Sequence, residues 1–118
     1  HAFLSGALGG LIGMMNGAAL CQKADISLDD FKEIYMDRSS IIEQESKRII
    51  NAIATEDTKN TEASVSAWKH GQEALLSISK TLDLNLDFQL ALSSLFKQAK
   101  KAGLEDHDLS AMYKIFNK

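Results

Sequence analysis

The chain has no proline and a single cysteine among its 118 residues. Without proline, nothing fixes φ or removes a backbone donor, so helices can run as long as their side chains allow. Cys21 has no partner for an intrachain disulfide, which fits a reducing, cytoplasmic setting. No neighbouring base or cation would hold its thiolate, so it reads as an inert buried thiol. Long runs of Val, Ile, Thr and Tyr are also missing, and the charges fall at helical positions, so the fold class is all-α. Positive charge is not in excess. The net charge of −3 excludes the concentrated basic face that nucleic acid requires. Lys97, Lys100 and Lys101 instead suit the negative end of a helix.

The motifs of the common chemistries are absent too. Gly6-Ala-Leu-Gly9-Gly10 lacks the GxGxxG spacing of a dinucleotide loop and follows no strand, and no GxxxxGK[ST] occurs. His1, His70 and His107 lie far apart with no HExxH or Cys–His spacing, so no metal site is assigned. Asp106-His107-Asp108 reads as a helix cap. No catalytic or cofactor-binding residue can be named from spacing.

What is present is a stretch of unusual smoothness. From Ala2 to Gln22 there is no charged side chain, and Gly6, Gly9, Gly10, Gly13 and Gly17 supply five of the chain's seven glycines. Each glycine inside a helix costs about 1 kcal/mol relative to Ala, a loss that close approach of other helices would offset. The stretch predicts a helix over residues 2–23, buried in protein, with Leu4, Leu8, Leu11, Met15 and Leu20 filling the gaps between neighbours. It is long enough to cross a bilayer. However, no basic n-region precedes it, and the downstream flank mixes Lys23 with Asp25, Asp29 and Asp30, so no membrane role is assigned.

Ser27 should cap a second helix, with Phe31, Ile34 and Tyr35 inward and a break between Met36 and Ser40. Ile42, Ile49, Ile50 and Ile53 then line an amphipathic helix ending near Ala54. Thr55–Asn60 reads as an exposed loop, with Asn60 or Thr61 capping the next helix. In that helix Val65, Trp68, Gln72, Leu75, Ser79 and Leu82 form one stripe at steps of three and four. Asn85 should cap a helix bearing Phe88, Leu92, Leu95, Phe96 and Ala99, stopped by Gly103. Asp106 opens a short last helix with Leu109, Met112, Tyr113 and Phe116 inward. The short connections predict one compact helical bundle.

Within the stripe, Gln72 has two readings. It is a buried amide that sets packing register, or with Trp68 it lines a ligand cleft as a polar tip beside an apolar wall.

Three segments carry a family resemblance: Gly13-Met-Met-Asn-Gly-Ala-Ala-Leu20 followed by Asp25-Ile-Ser-Leu-Asp-Asp-Phe31; Ala63-Ser-Val-Ser-Ala-Trp68; and Ala102-Gly-Leu-Glu-Asp-His-Asp-Leu-Ser-Ala111. In this order they resemble the C-terminal helical domain of NADP-dependent imine reductases and reductive aminases of the β-hydroxyacid dehydrogenase superfamily. The resemblance implies a single helical domain over residues 1–118, with the parent's Rossmann domain and its NADPH outside this chain. It implies an intertwined homodimer around the long glycine-rich helix, with Gly9, Gly13, Gly17 and Met14 at the interface. It also implies a substrate cleft to which Trp68 and Gln72 contribute, and reduction of imines or carbonyls by the whole enzyme. No residue before Lys23 matches the lysine of many β-hydroxyacid dehydrogenases, and the family's proton donor falls at or before His1, so the chain alone is expected to be inactive. The alternative is a self-contained helical protein–protein interaction module.

Overall fold

In the computed structural model, which describes residues 2–117, the chain is all-α. Helix α1 spans Ala2–Lys23, α2 Leu28–Asp37, α3 Ser39–Ala54, α4 Val65–Thr81 and α5 Asp87–Lys101, and a 3₁₀ helix spans Leu109–Phe116.

Local capping chemistry sets most of the boundaries. The Ser27 hydroxyl accepts from the Asp30 N–H at 3.1 Å, and Asp29 and Asp30 place negative charge at the positive end of α2. The break between α2 and α3 falls at Arg38, inside the interval that the sequence marks. Four helices end alike, each with a left-handed residue just past its last turn. These are Asp25 (φ 58°), Glu56 (φ 58°), Asp83 (φ 56°) and Gly103 (φ 76°). The next N–H in each case reaches back to an orphan carbonyl: Ile26 to Cys21, Asp57 to Ala52, Leu84 to Ser79 and Leu104 to Ala99, at 2.8–3.0 Å. Of these, only Gly103 is marked as a helix stop by the sequence.

Helix α4 begins later than expected. Ser64, not Asn60 or Thr61, is its cap, accepting from the Ala67 N–H at 3.2 Å. The reason is tertiary. The Val65 and Ser66 N–H groups donate to the His107 and Glu105 carbonyls at 2.8 and 3.0 Å, so a distant loop satisfies the helix's orphan donors. Thr58, expected to be exposed, is buried for the same reason: its carbonyl accepts from the Asp108 N–H. Asn85 acts one position early, accepting from the Asp87 N–H while Leu86 occupies the cap.

The terminal helix also differs from expectation. It starts after Asp108 rather than Asp106, and it is 3₁₀. Its period of three puts Leu109, Met112 and Ile115 on the core and leaves Tyr113 and Phe116 exposed.

The core lies where α4, α5 and the 3₁₀ helix meet, with Val65, Phe96, Ala99, Leu104 and Ala111 buried. Helix α1 is not part of it. No residue of α1 is buried, Phe3 is 85% exposed, and Leu4, Leu8, Leu11 and Met15 remain about half exposed. The expectation that the rest of this chain buries α1 is therefore corrected. Only its second half rests on its own chain, where the Phe88 and Phe31 rings lie against Gly13 and Gly17. Cys21 is half-buried rather than buried. Ile34, Ile42 and Ile50, read as inward-facing, are also exposed.

The surface area shows the same thing in bulk. The chain exposes 8522 Å², whereas a compact monomer of this mass exposes about 6,300 Å². Its radius of gyration is 15.1 Å, against about 13.5 Å for a compact domain of this length.

Glu56 occupies a left-handed position with a side chain that has no local means of favouring it. Glu56→Gly should raise stability by about 0.5–1 kcal/mol, and Gly103→Ala should lower it by about 1 kcal/mol, both read from urea denaturation midpoints.

Candidate functional site

Helices α4 and α5 and the 3₁₀ helix border an open apolar cleft of about 490 Å³ beside the core. Trp68, Gly71 and Leu75 line it from α4, Leu92 and Phe96 from α5, and Leu109 from the 3₁₀ helix. No charged side chain lines it. Gly71 leaves the wall bare, since a Cβ there would meet nothing within 4 Å. Trp68 is 45% exposed, so a large flat apolar surface stands at the cleft.

Both cleft candidates named from the sequence thus lie on this cavity, but they differ in what they can offer. Gln72 is 5% exposed. Its Nε2 donates to the Gln89 backbone carbonyl at 2.9 Å and to Gln89 Oε1 at 3.2 Å, while its Oε1 accepts from the Ser93 hydroxyl at 3.1 Å. The amide is committed to α5, and the aliphatic stem is left for the cleft. The α4 stripe accordingly divides: Val65, Gln72 and Ser79 are buried, whereas Trp68 and Leu75 are exposed.

Of the four interface candidates on α1, Gly9 faces open space, while Gly13 and Gly17 carry the Phe88 and Phe31 rings of the same chain. Met14 is half-buried and lines a groove of about 680 Å³ with Phe3, Leu11, Tyr35 and Ile50.

A second, polar cavity of about 600 Å³ surrounds Asp108, with Glu45, Arg48, Asn60, Thr61 and Glu62 on its walls. Asp108 is almost fully buried and saturated with donors. It accepts from the Thr61 hydroxyl at 2.7 Å, the Arg48 guanidinium at 3.0 and 3.1 Å, and the Ser110 N–H at 3.0 Å, as well as from the Ser110 hydroxyl. Burial alone would raise its pKa, but the hydrogen bonds from Ser110, Thr61 and Arg48 outweigh burial and hold the carboxyl well below the usual carboxylate range. Hydrogen bonds to Glu45 and then to Asp108 raise the Arg48 pKa further above its ordinary value. With every lone pair occupied, Asp108 is a structural hub rather than an acid or base. The cap expected at Asp106–Asp108 is real at Asp108, but nothing local in the sequence links it to Arg48, sixty positions earlier. Among the described residues, no three His, Cys, Asp or Glu side chains converge where a metal ion could sit.

No protein-family model and no curated protein matches the sequence. The fold does find matches. An imine reductase from Pseudomonas sp. superposes with a TM-score of 0.91 over 98% of this chain and 40% of that one, at 25% identity. This is the fold of part of an imine reductase. An imine reductase from Myxococcus stipitatus, in complex with NADP+, matches at TM-score 0.92 and 18% identity, over 97% of this chain and 42% of that one. A reductive aminase from Aspergillus terreus, in complex with NADPH and ethyl levulinate, matches at 0.89 and 19%, over 98% and 40%. The chain thus spans about two fifths of the length of these enzymes. Helix α1, at 22 residues, is too large to fall outside matches of 97–98%. It is part of the shared imine reductase fold, although its length and composition would also suit a membrane span.

Asp108 yields an expectation with a definite sign. Its depressed pKa contributes stability in full above the unfolded value of about 3.9, and that stability is lost as pH falls towards the folded value. Urea denaturation should show stability falling below about pH 4. Asp108→Asn should flatten that dependence and cost about 1–3 kcal/mol at pH 7, because it weakens the buried acceptor for Thr61 and Ser110 while Arg48 keeps its pair with Glu45.

Proposed function

We propose that this chain is the helical, C-terminal-type domain of an NADP-dependent oxidoreductase that reduces imines or carbonyls in the cytoplasm. It forms one wall of the substrate cleft and holds two copies together through α1. The observation that carries this reading is the coverage of the fold match, nearly complete for this chain and about two fifths of each partner. The excess exposed apolar surface on α1, α2 and α3 supports it from an independent direction.

The residues here do not fit NADPH by themselves. The described residues contain no strand–turn–helix and no glycine-rich phosphate loop, and the glycines of α1 lie inside a helix where their N–H groups are already used. The nicotinamide site belongs to a Rossmann-type domain on another part of the parent protein. What this chain's residues can do is bind and exclude water. Trp68 offers a flat face for an apolar substrate, Leu75 and Leu92 flank it, and Gln72 holds α4 at a fixed distance from α5.

The chain alone should not oxidise NADPH in the presence of a cyclic imine. Joined to its nucleotide-binding domain, it should. Failure of that longer protein to bind NADPH would overturn the assignment and favour a self-contained interaction module. In the active protein, Trp68→Ala should raise KM about tenfold with a smaller effect on kcat, since the indole binds substrate and transition state alike. Gly71→Leu should lower kcat/KM by filling the cleft without unfolding α4.

A further inference from the structure

Helix α1 carries one carboxamide in the middle of its apolar length, Asn16, and the structure fixes which way that carboxamide points. The Gln89 backbone carbonyl can only accept, so Gln72 must aim its nitrogen at it, as the 2.9 Å contact shows. The same nitrogen's second proton goes to Gln89 Oε1 at 3.2 Å, which turns the Gln89 oxygen towards Gln72 and its nitrogen away. That nitrogen donates to Asn16 Oδ1 at 3.0 Å. Asn16 therefore turns its oxygen to its own chain and its nitrogen outward. Amide orientation is normally ambiguous, but here a backbone acceptor at one end removes the ambiguity along the whole relay.

The outward nitrogen has no partner. Among the described residues Asn16 Nδ2 makes no hydrogen bond, and it is not among the buried unpartnered atoms, so it is reachable from outside. The surroundings are apolar. Ile12 and Met15 on the same helix are 48% and 58% exposed, and Gly13 and Gly17 on either side carry only Phe rings.

We propose that the Asn16–Gln89–Gln72 relay is a register device, holding the Asn16 carboxamide nitrogen as a donor to an acceptor on a second copy of this chain lying along α1. The second copy is chosen as occupant on area. The surface in excess of a compact monomer is about 2,200 Å² per chain, and stable obligate dimers bury about 2,000–5,000 Å² in total. An apolar helix with uniform small residues could accept a partner at several offsets. One oriented donor in that face makes a single offset the satisfied one, because every other leaves the donor buried and unpaired. The relay also ties that contact to the cleft, since Gln72 belongs to the wall that bears Trp68. This proposal rests on the dimer reading given above.

The test uses the whole 118-residue chain, without detergent. Sedimentation equilibrium gives the assembly state, and ¹⁵N NMR gives the solvent exchange rate of the Asn16 side-chain amide protons, assigned with Asn16→Ala. A dimer in which these protons exchange at least about tenfold more slowly than those of the exposed Asn51 and Asn117 supports the proposal. A dimer with unprotected Asn16 protons overturns the register device and leaves the dimer standing. A monomer at micromolar concentration overturns both. The relay itself has a separate readout. Trp68 is the sole tryptophan, so Gln89→Leu, which severs the relay beyond α1, should speed exchange of the Asn16 protons and shift Trp68 emission. Unchanged exchange in a folded Gln89→Leu protein would contradict the relay.

Discussion

A 22-residue apolar helix that its own chain covers only along its second half is the constraint on which this structure turns. Removing apolar surface from water yields about 25 cal/mol per Å², and α1 has received little of that stabilisation from α2 to α5. A helix with five glycines gains nothing from propensity either. The second copy proposed above would supply the cover that this chain lacks. Ile50 of α3 lines the same groove as α1, and Ile34 of α2 and Ile42 of α3 are exposed as well.

The opposite requirement governs the core end of the molecule. There, α4, α5 and the 3₁₀ helix share a small apolar core, and a buried carboxylate ties in elements that the core does not reach. Asp108 joins α3, through Arg48, and the loop before α4, through Thr58 and Thr61, to the terminal helix that it caps. The charged groups gather in the polar cavity around Asp108, and the cleft beside α4 and α5 has none on its walls. The Gln72 amide is likewise spent on α5, whereas the Trp68 indole stays exposed at the cleft.

What could be read from the residues follows the range of the forces involved. The caps at Ser27 and Gly103, the break at Arg38 and the limits of α1 depend on neighbours within about four positions, and they were legible. Ser64 replaced Asn60 and Thr61 as a cap because the loop at 105–108, far along the chain, supplies the acceptors. In the last helix Leu109 and Met112 satisfy periods of three and of 3.6 alike, and only the core contact of Ile115 separates them. The apolar pattern of α1 told that it needs covering and could not tell by what. Helical spacing puts Trp68 and Gln72 on one stripe of α4, but that the indole is exposed and the amide engaged depends on Gln89 and Ser93, which no spacing rule connects to them.

The central claim is that α1 is covered by another molecule of this chain. Backbone hydrogen exchange measured across a range of protein concentrations tests it most directly. If the claim holds, amides of α1 gain protection as concentration rises, while those of α4 and α5 stay protected throughout. Protection in α1 that does not change with concentration, in a chain that sediments at 13.0 kDa, would contradict it.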